Sequence, residues 1–287
     1  MAVKLVGRPS SAEDPLDGDR PAKSGACGRT GDHAGRMDRH TLSALAHADH
    51  PVATPISTSN MGRLIERAAC PPDALVFDLG CGAGEWVLRA LQEHPTARAH
   101  AVDMSEPALR RGAESARERR LDDRVSFVRG DAREYRPPQA CDLVMCVGST
   151  HIFGGLAETL QAIGEHVAPG GAVIVGDGFW ERPPDAATLE ALGGTPEEFQ
   201  DLAGTVDTAE KAGWTPVYAH VSELGEWDDY EWSWTGSLTR WALDNPDHPD
   251  AEAALAAARE HRAGWLRGYR GVLGFVTLLL QRLPQHG

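Results

Sequence analysis

Val76-Phe77-Asp78-Leu79-Gly80-Cys81-Gly82-Ala83-Gly84 is the stretch that decides the fold. The apolar run from Leu75 to Leu79, interrupted only by Asp78, reads as a buried strand. Glycines at alternate positions follow it, and Glu85 to Gln92 then reads as a helix. Glycine lets the backbone turn sharply and approach a ligand closely. The spacing discriminates between ligands. A dinucleotide fingerprint, GxGxxG, needs its third glycine at position 85, which is Glu85. The Gly-Lys-Ser/Thr ending of a nucleotide-phosphate loop is also absent. A pyrophosphate at this helix start would meet the Glu85 carboxylate.

Downstream of the loop, strands and helices alternate. Strands are expected at Ala99–Val102, Val125–Val128, Leu143–Val147 and Ala172–Val175. Helices are expected at Glu106–Arg119, with Pro107 in the first turn, and at Leu156–His166, closed by Pro169-Gly170-Gly171. Thr195, with Glu198 three residues on, reads as the capping box of a further helix. Two more strands, Trp214–Val221 and Phe275–Leu280, bring the sheet to seven. This order predicts an α/β fold, Rossmann-like, with a mostly parallel seven-stranded sheet and helices on both faces. Upstream, Met61–Ala69 reads as a helix with Met61, Leu64 and Ile65 on one face. Between the last two strands lies a helical, aromatic-rich insert, residues 223–270, with Trp227, Tyr230, Trp232, Trp234, Trp241, Trp265 and Tyr269. Its alanine-rich part, Ala251–Arg267, is expected to be helical. The insert is expected to fold over the acceptor site, most of its aromatics forming its own core and one or two facing that site.

Acids stand at the next two strand ends. Asp103 closes the second strand, 19 positions beyond Gly84 (103 − 84). It is placed to accept hydrogen bonds from two ribose hydroxyls, or to cap the helix that follows. Asp131 follows the third strand, where a carboxylate can accept from an adenine amino group.

With these motifs in order, residues 75–180 resemble the class I S-adenosylmethionine (SAM)-dependent methyltransferases. The resemblance implies SAM as cofactor. It gives Gly80, Cys81, Gly82 and Gly84 the methionine part, with Asp78 nearby, and Asp103 the ribose. Met104 would pack on the adenine, Asp131 and Ala132 would border it, and Val147 at the end of the fourth strand would also touch the cofactor. SAM carries no phosphate, and its sulfonium is cationic, so carboxylates at the loop are compatible with it. Thr54-Pro55-Ile56-Ser57, Gly148-Ser149-Thr150-His151, Gly176-Asp177-Gly178-Phe179-Trp180 and Glu226-Trp227-Asp228-Asp229-Tyr230-Glu231 are similar to segments of a bacterial, small-molecule-type group of these enzymes. That group often has Asn where Thr54 stands.

Ligands of open parallel sheets bind beyond the carboxyl ends of the strands. The expected reaction is in-line transfer of a methyl group to a small-molecule acceptor, releasing S-adenosylhomocysteine (SAH) and relying on close positioning. His151, after the fourth strand, is the first choice as general base, and Asp177, after the fifth, the second. The loop after the fourth strand has one histidine and no acids, so no metal is expected. The alternative from another class is a SAM-binding regulatory or scaffold protein without turnover. A nicotinamide-dependent oxidoreductase is disfavoured by Glu85. Methylation of nucleic-acid bases is disfavoured because Gly148-Ser149-Thr150-His151 stands where an Asn/Asp-Pro-Pro-Tyr/Phe motif would be.

Bulk properties fit these expectations. The 287 residues allow one sizeable core. A net charge of −14 without a basic stripe argues against nucleic acid and anionic membranes as partners. Five cysteines without a CxxC pair read as reduced thiols of a cytoplasmic protein. No apolar run is long enough to span a bilayer, and no apolar leader precedes the domain. Residues 1–36 are rich in Gly, Pro, Asp and Arg and are expected to be a disordered tail, with Met37 as an alternative start of a domain running to residue 287. The chain is expected to act as a monomer or homodimer.

Overall fold

The computed structural model describes residues 39–282. The expected tail and the alternative start at Met37 lie outside the described residues. Two helices lead in, α1 (Arg39–Ala46) and α2 (Thr58–Arg67). Ser57 caps α2 by accepting from the Asn60 N–H, and α2 buries Met61, Leu64 and Ile65, the face its spacing predicts. Then follow β1 (Leu75–Leu79), α3 (Glu85–Glu93), β2 (Arg98–Asp103), α4 (Glu106–Glu118), β3 (Val125–Arg129), β4 (Cys141–Val147), α5 (Leu156–Ile163) and β5 (Val167–Trp180). The chain continues through α6 (Ala186–Leu192), α7 (Leu202–Lys211), β6 (Thr215–Val221), α8 (Leu224–Asp244), α9 (Ala251–Gly264) and β7 (Leu273–Gln281).

The strands form one seven-stranded sheet in the order β3-β2-β1-β4-β5-β7-β6. β1 to β5 pair in parallel, and β7 runs antiparallel to β5 and β6. This is the mostly parallel sheet the sequence predicts. The pleat sends alternate side chains to opposite faces. Val76 packs on one face with Leu64, Val87, Leu91 and Trp227. Leu75, Phe77 and Leu79 pack on the other with Leu160, Ile163 and Trp214. Burial on both faces explains why these strands read as continuous apolar runs. β1 has β2 on one side and β4 on the other, so the strand order reverses there and opens a crevice at the carboxyl ends. No helix among the described residues is long and apolar enough to cross a membrane.

Three expected elements differ. β5 is longer than Ala172–Val175: it starts at Val167 and contains Pro169-Gly170-Gly171 as an irregularity, opposite a register shift between Cys141 and Leu143 of β4. At its other end it continues to Trp180 because β7 pairs with it throughout, Trp180 opposite Leu273. Thr195 makes no side-chain cap, and Pro196–Glu198 forms only a 3₁₀ turn. α7 starts at Leu202 instead, capped by Asp201. The competing force is tertiary. Phe199 is extended so that its ring meets Trp180 edge-on at 5.3 Å between centroids, while Trp180 Nε1 donates to the Pro196 carbonyl at 2.8 Å. Finally, α9 passes at Trp265–Tyr269 into a π-helical turn, which brings the Tyr269 hydroxyl to 2.7 Å from Glu231 Oε1.

Candidate active site

The glycine loop joins β1 to α3. Gly80, Gly82 and Gly84 have φ of +69°, +54° and +73°, a region that costs any residue with a Cβ. Their surroundings differ. A Cβ at Gly80 would lie 2.5 Å from Ser149 Oγ, and one at Gly84 would lie 2.6 Å from the Phe127 ring. A Cβ at Gly82 would meet nothing within 4 Å. The first and third glycines therefore allow packing, and the second leaves the loop open. Backbone N–H groups of Gly80 and Cys81 donate to the Val102 carbonyl at 2.9 and 3.1 Å, tying the loop to the end of β2.

Asp103 completes this tie. Its Oδ2 accepts from the Gly82 N–H at 2.8 Å and its Oδ1 from the Ser105 N–H at 2.7 Å. Each oxygen keeps a second acceptor direction. The cap of α4 is Ser105, not Asp103. Asp78 is buried on β1, and its Oδ2 has no hydrogen-bond partner among the described residues. Burial, reinforced by the Asp103 charge, pushes its carboxyl up to about 8. Burial, then Asp78 and Asp103, also push the Cys81 thiol well above its ordinary range. Cys70, Cys81, Cys141 and Cys146 are free thiols. Glu85 is turned away from the loop onto Arg119, with contacts of 3.0 and 2.6 Å. The electrostatic objection to a pyrophosphate is thereby weakened, and the missing third glycine carries that exclusion alone. Asp131 is engaged by Arg133 at 2.5–3.0 Å, and hydrogen bonds from that guanidinium and its backbone hold the carboxyl down at about 2.

On the other side of the crevice, Ser149 Oγ donates to the Gly80 carbonyl at 3.1 Å. Asp177 lies inside β5, opposite Val276, rather than past its end. Thr150 Oγ1 and the Gly178 N–H both donate to Asp177 Oδ1, at 2.9 and 2.8 Å. Oδ2 takes no hydrogen bond from the described residues. Burial pushes this carboxyl up to about 6, against the two hydrogen bonds. His151 is exposed on the 3₁₀ turn Thr150–Ile152.

One cavity of about 970 Å³ connects these groups. Every expected site residue except Gly84 lines it: Asp78, Gly80, Cys81, Gly82, Asp103, Met104, Asp131, Ala132, Val147, His151 and Asp177. Gly84 is used behind it, against Phe127. No side chain of residues 223–270 lines it. Its roof comes from residues 43–53 and 192–199, and the insert reaches it at one remove, through Tyr230. His47 Nδ1 donates to the Ser43 carbonyl at 2.8 Å, and its Nε2 meets the Tyr230 hydroxyl at 3.2 Å. Burial pushes His47 down to about 4, so its ring is neutral at neutral pH. Trp180 also stays out of the cavity. Residues missed from the sequence are His47, Trp86, Arg111, Glu197, Glu198 and Phe199. Arg111 lines the cavity together with Ala108, three positions before it on the same face of α4, and no motif in the sequence marks either.

Comparison with known proteins agrees with this architecture. Residues 76–171 match the family model described as a methyltransferase domain. The uncharacterized protein YjhP of Escherichia coli is 26% identical over 213 residues, 74% of this chain and 86% of that protein. A trans-aconitate 2-methyltransferase of Streptomyces avermitilis is 27% identical over 235 residues, covering 75% and 85% of the two chains. A SAM-dependent methyltransferase from Geobacter sulfurreducens, solved in complex with SAH, superimposes with a TM-score of 0.80 at 25% identity over 86% of this chain and all of that one. With the motif order and the sheet order, these likenesses support a class I SAM-dependent methyltransferase domain built around residues 76–171.

Proposed function

We propose that the chain transfers the methyl group of SAM to a small-molecule acceptor bound in the 970 Å³ cavity. The observation that carries this reading is the continuity of that cavity from the glycine loop to Asp177 and His151. The residues fit the donor. The open face at Gly82 leaves room against the loop backbone, and Asp78 Oδ2, without a partner among the described residues, is a buried polar atom beside that loop which a bound donor would satisfy. Gly80, Cys81 and Gly82 would hold the methionine part, Asp103 the ribose, and Met104, Asp131, Ala132 and Val147 the adenine side. SAM, when bound, supplies a methyl group activated by the sulfonium charge.

The chain's own part is positioning and proton handling. Residues 43–53 and 192–199 roof the cavity and limit water. Thr150 fixes the Asp177 carboxylate, which leaves Oδ2 to accept a proton, and His151 on the rim is a second acceptor. The reading is tested by titrating SAH into the full chain in a calorimeter. Asp103→Ala is expected to weaken binding by about 1–3 kcal/mol, since it removes a carboxylate that also holds the Gly82 N–H. No heat at millimolar SAH, or unchanged affinity in the variant, would sink the donor site described.

A further inference from the structure

We infer that the acceptor is an amine that arrives as an ammonium ion, held by Asp177 with Glu198 and the ring of Phe199, and not a carboxylic acid. This rests on the methyl-transfer reading above and concerns the half of the cavity that reading leaves open.

The charges lining the cavity are one-sided. Its acids are Asp78, which burial keeps protonated at neutral pH, and the carboxylates Asp103, Asp131, Asp177, Glu197 and Glu198, against the guanidinium groups of Arg111 and Arg133. Neither guanidinium is available to an anion. Arg111 donates to the carbonyls of Ala44 and, at 3.2 Å, of His47. Arg133 is spent on Asp131. His47 is neutral. A carboxylate acceptor would thus enter an acidic cavity with no arginine or lysine among the described residues free to receive it, a placement that desolvation makes costly.

The donor accounts for only half of these acids. Asp78, Asp103 and Asp131 lie at the ends of β1, β2 and β3, where the SAM reading uses them. Asp177, Glu197 and Glu198 lie across the crevice. Asp177 is the informative one. Both of its donors among the described residues converge on Oδ1, which leaves Oδ2 of this cavity-lining carboxylate without a hydrogen bond from them. Glu198 is close enough that its charge raises the Asp177 carboxyl. The Phe199 ring lies over Gly178, the next residue: a Cβ there would be 2.8 Å from it. An unclaimed carboxylate oxygen, a second carboxylate and an aromatic ring are what an ammonium with an apolar body requires.

The proton balance also closes. The ammonium N–H proton passes to Asp177 Oδ2, whose affinity near pH 6 lets it accept and later release one. The freed nitrogen lone pair forms the N–C bond while the S–C bond breaks and its electron pair stays on sulfur. The products are SAH and an N-methylated ammonium.

The probes are phenethylamine and 3-phenylpropanoate, of similar size and opposite charge, titrated into the full chain with and without saturating SAH at pH 7.5. Phenethylamine is expected to bind at least about tenfold more tightly than the acid. Asp177→Asn, close in shape, is expected to abolish that preference while changing SAH affinity less than twofold. Glu198→Gln, on an exposed turn, is expected to reduce it in part. Equal or tighter binding of the acid, binding of neither probe, or a wild-type preference in Asp177→Asn would overturn the inference. Failure of SAH to bind would instead overturn the donor reading, because the amine preference is read without SAH as well.

Discussion

Gly82 and Gly84 hold the same left-handed backbone, but only Gly84 has a ring against its missing side chain. Alanine at 84 pays the conformational strain and collides with Phe127. It is expected to destabilise the chain by about 2–4 kcal/mol in denaturant unfolding. Alanine at 82 costs only about 1 kcal/mol in the same measurement. Its methyl faces the cavity, so it is expected to weaken SAH about tenfold by calorimetry. Asp78 gives a second contrast. Burial raises its carboxyl from 3.8 to about 8, so the folded chain binds that proton more tightly than the unfolded chain does. The stability gained is complete below pH about 4 and is lost as pH rises through about 8. Asp78→Asn removes this loss, and its melting temperature is expected to exceed that of the wild type above pH 8 by about 2–4 °C per kcal/mol recovered. An unchanged difference between pH 6 and pH 9 would show that Asp78 does not titrate as described. At this scale the site was legible where it lay on strand ends. Asp78, Asp103 and Asp131 could be found because strand ends can be counted along the sequence, whereas Asp177 was expected past a strand end and lies inside β5. His47 and Phe199 could not be found, because they reach the cavity from segments whose only link to it is tertiary.

Among the elements, α2 depends on a residue far away in sequence. Glu226, in the first turn of α8, accepts from the Ser57 N–H at 2.7 Å, from Asn60 Nδ2 at 2.8 Å and from the Glu223 N–H at 3.0 Å. His220 Nε2 lies 2.7 Å from its other face. Burial raises its carboxyl, but hydrogen bonds from Asn60, Ser57 and His220 outweigh burial and bring it to about 2. The stabilisation is present above pH about 4.5 and is lost as pH falls toward 2. Glu226→Ala is expected to cost about 2–3 kcal/mol at pH 7 in urea unfolding and much less at pH 3. A loss that does not shrink in acid would refute the ionised clamp. Most element positions were legible because apolar periodicity is a local signal. Element ends were less so. β5 runs past Val175 because β7 pairs with it, and the helix expected at Thr195 yields to the contact of Phe199 with Trp180. Both outcomes are decided by partners distant in the chain.

For the whole molecule, the insert is part of the central fold. It joins β6 to β7, and β7 lies beside the strand that carries Asp177. Its buried aromatics, Trp227, Tyr230, Trp234, Trp265 and Tyr269, join the core on one face of the sheet, beside a buried polar cluster: Glu231 meets His261 Nε2 and the Tyr269 hydroxyl, each at 2.7 Å. His261 also stacks on Trp234 with centroids 3.9 Å apart. Tyr269→Phe leaves one buried Glu231 oxygen without its donor and is expected to cost about 2 kcal/mol, or roughly 4–8 °C. Calorimetric melting is expected to show one transition moved as a unit. A separate low-temperature transition would show that the insert melts alone.

The contact between Ser149 and Gly80 also constrains how this sequence can drift. A side chain at 80 would overlap Ser149 Oγ at 2.5 Å, so the position cannot change while Ser149 stays where it is. Shortening Ser149 first gives up its hydrogen bond to the Gly80 carbonyl, and the backbone at 80 would still disfavour any residue with a Cβ. Neither single step is neutral. Even a paired exchange of these two positions, 69 apart in the chain, loses the hydrogen bond and keeps the strain at 80, so neither change restores what the other removes.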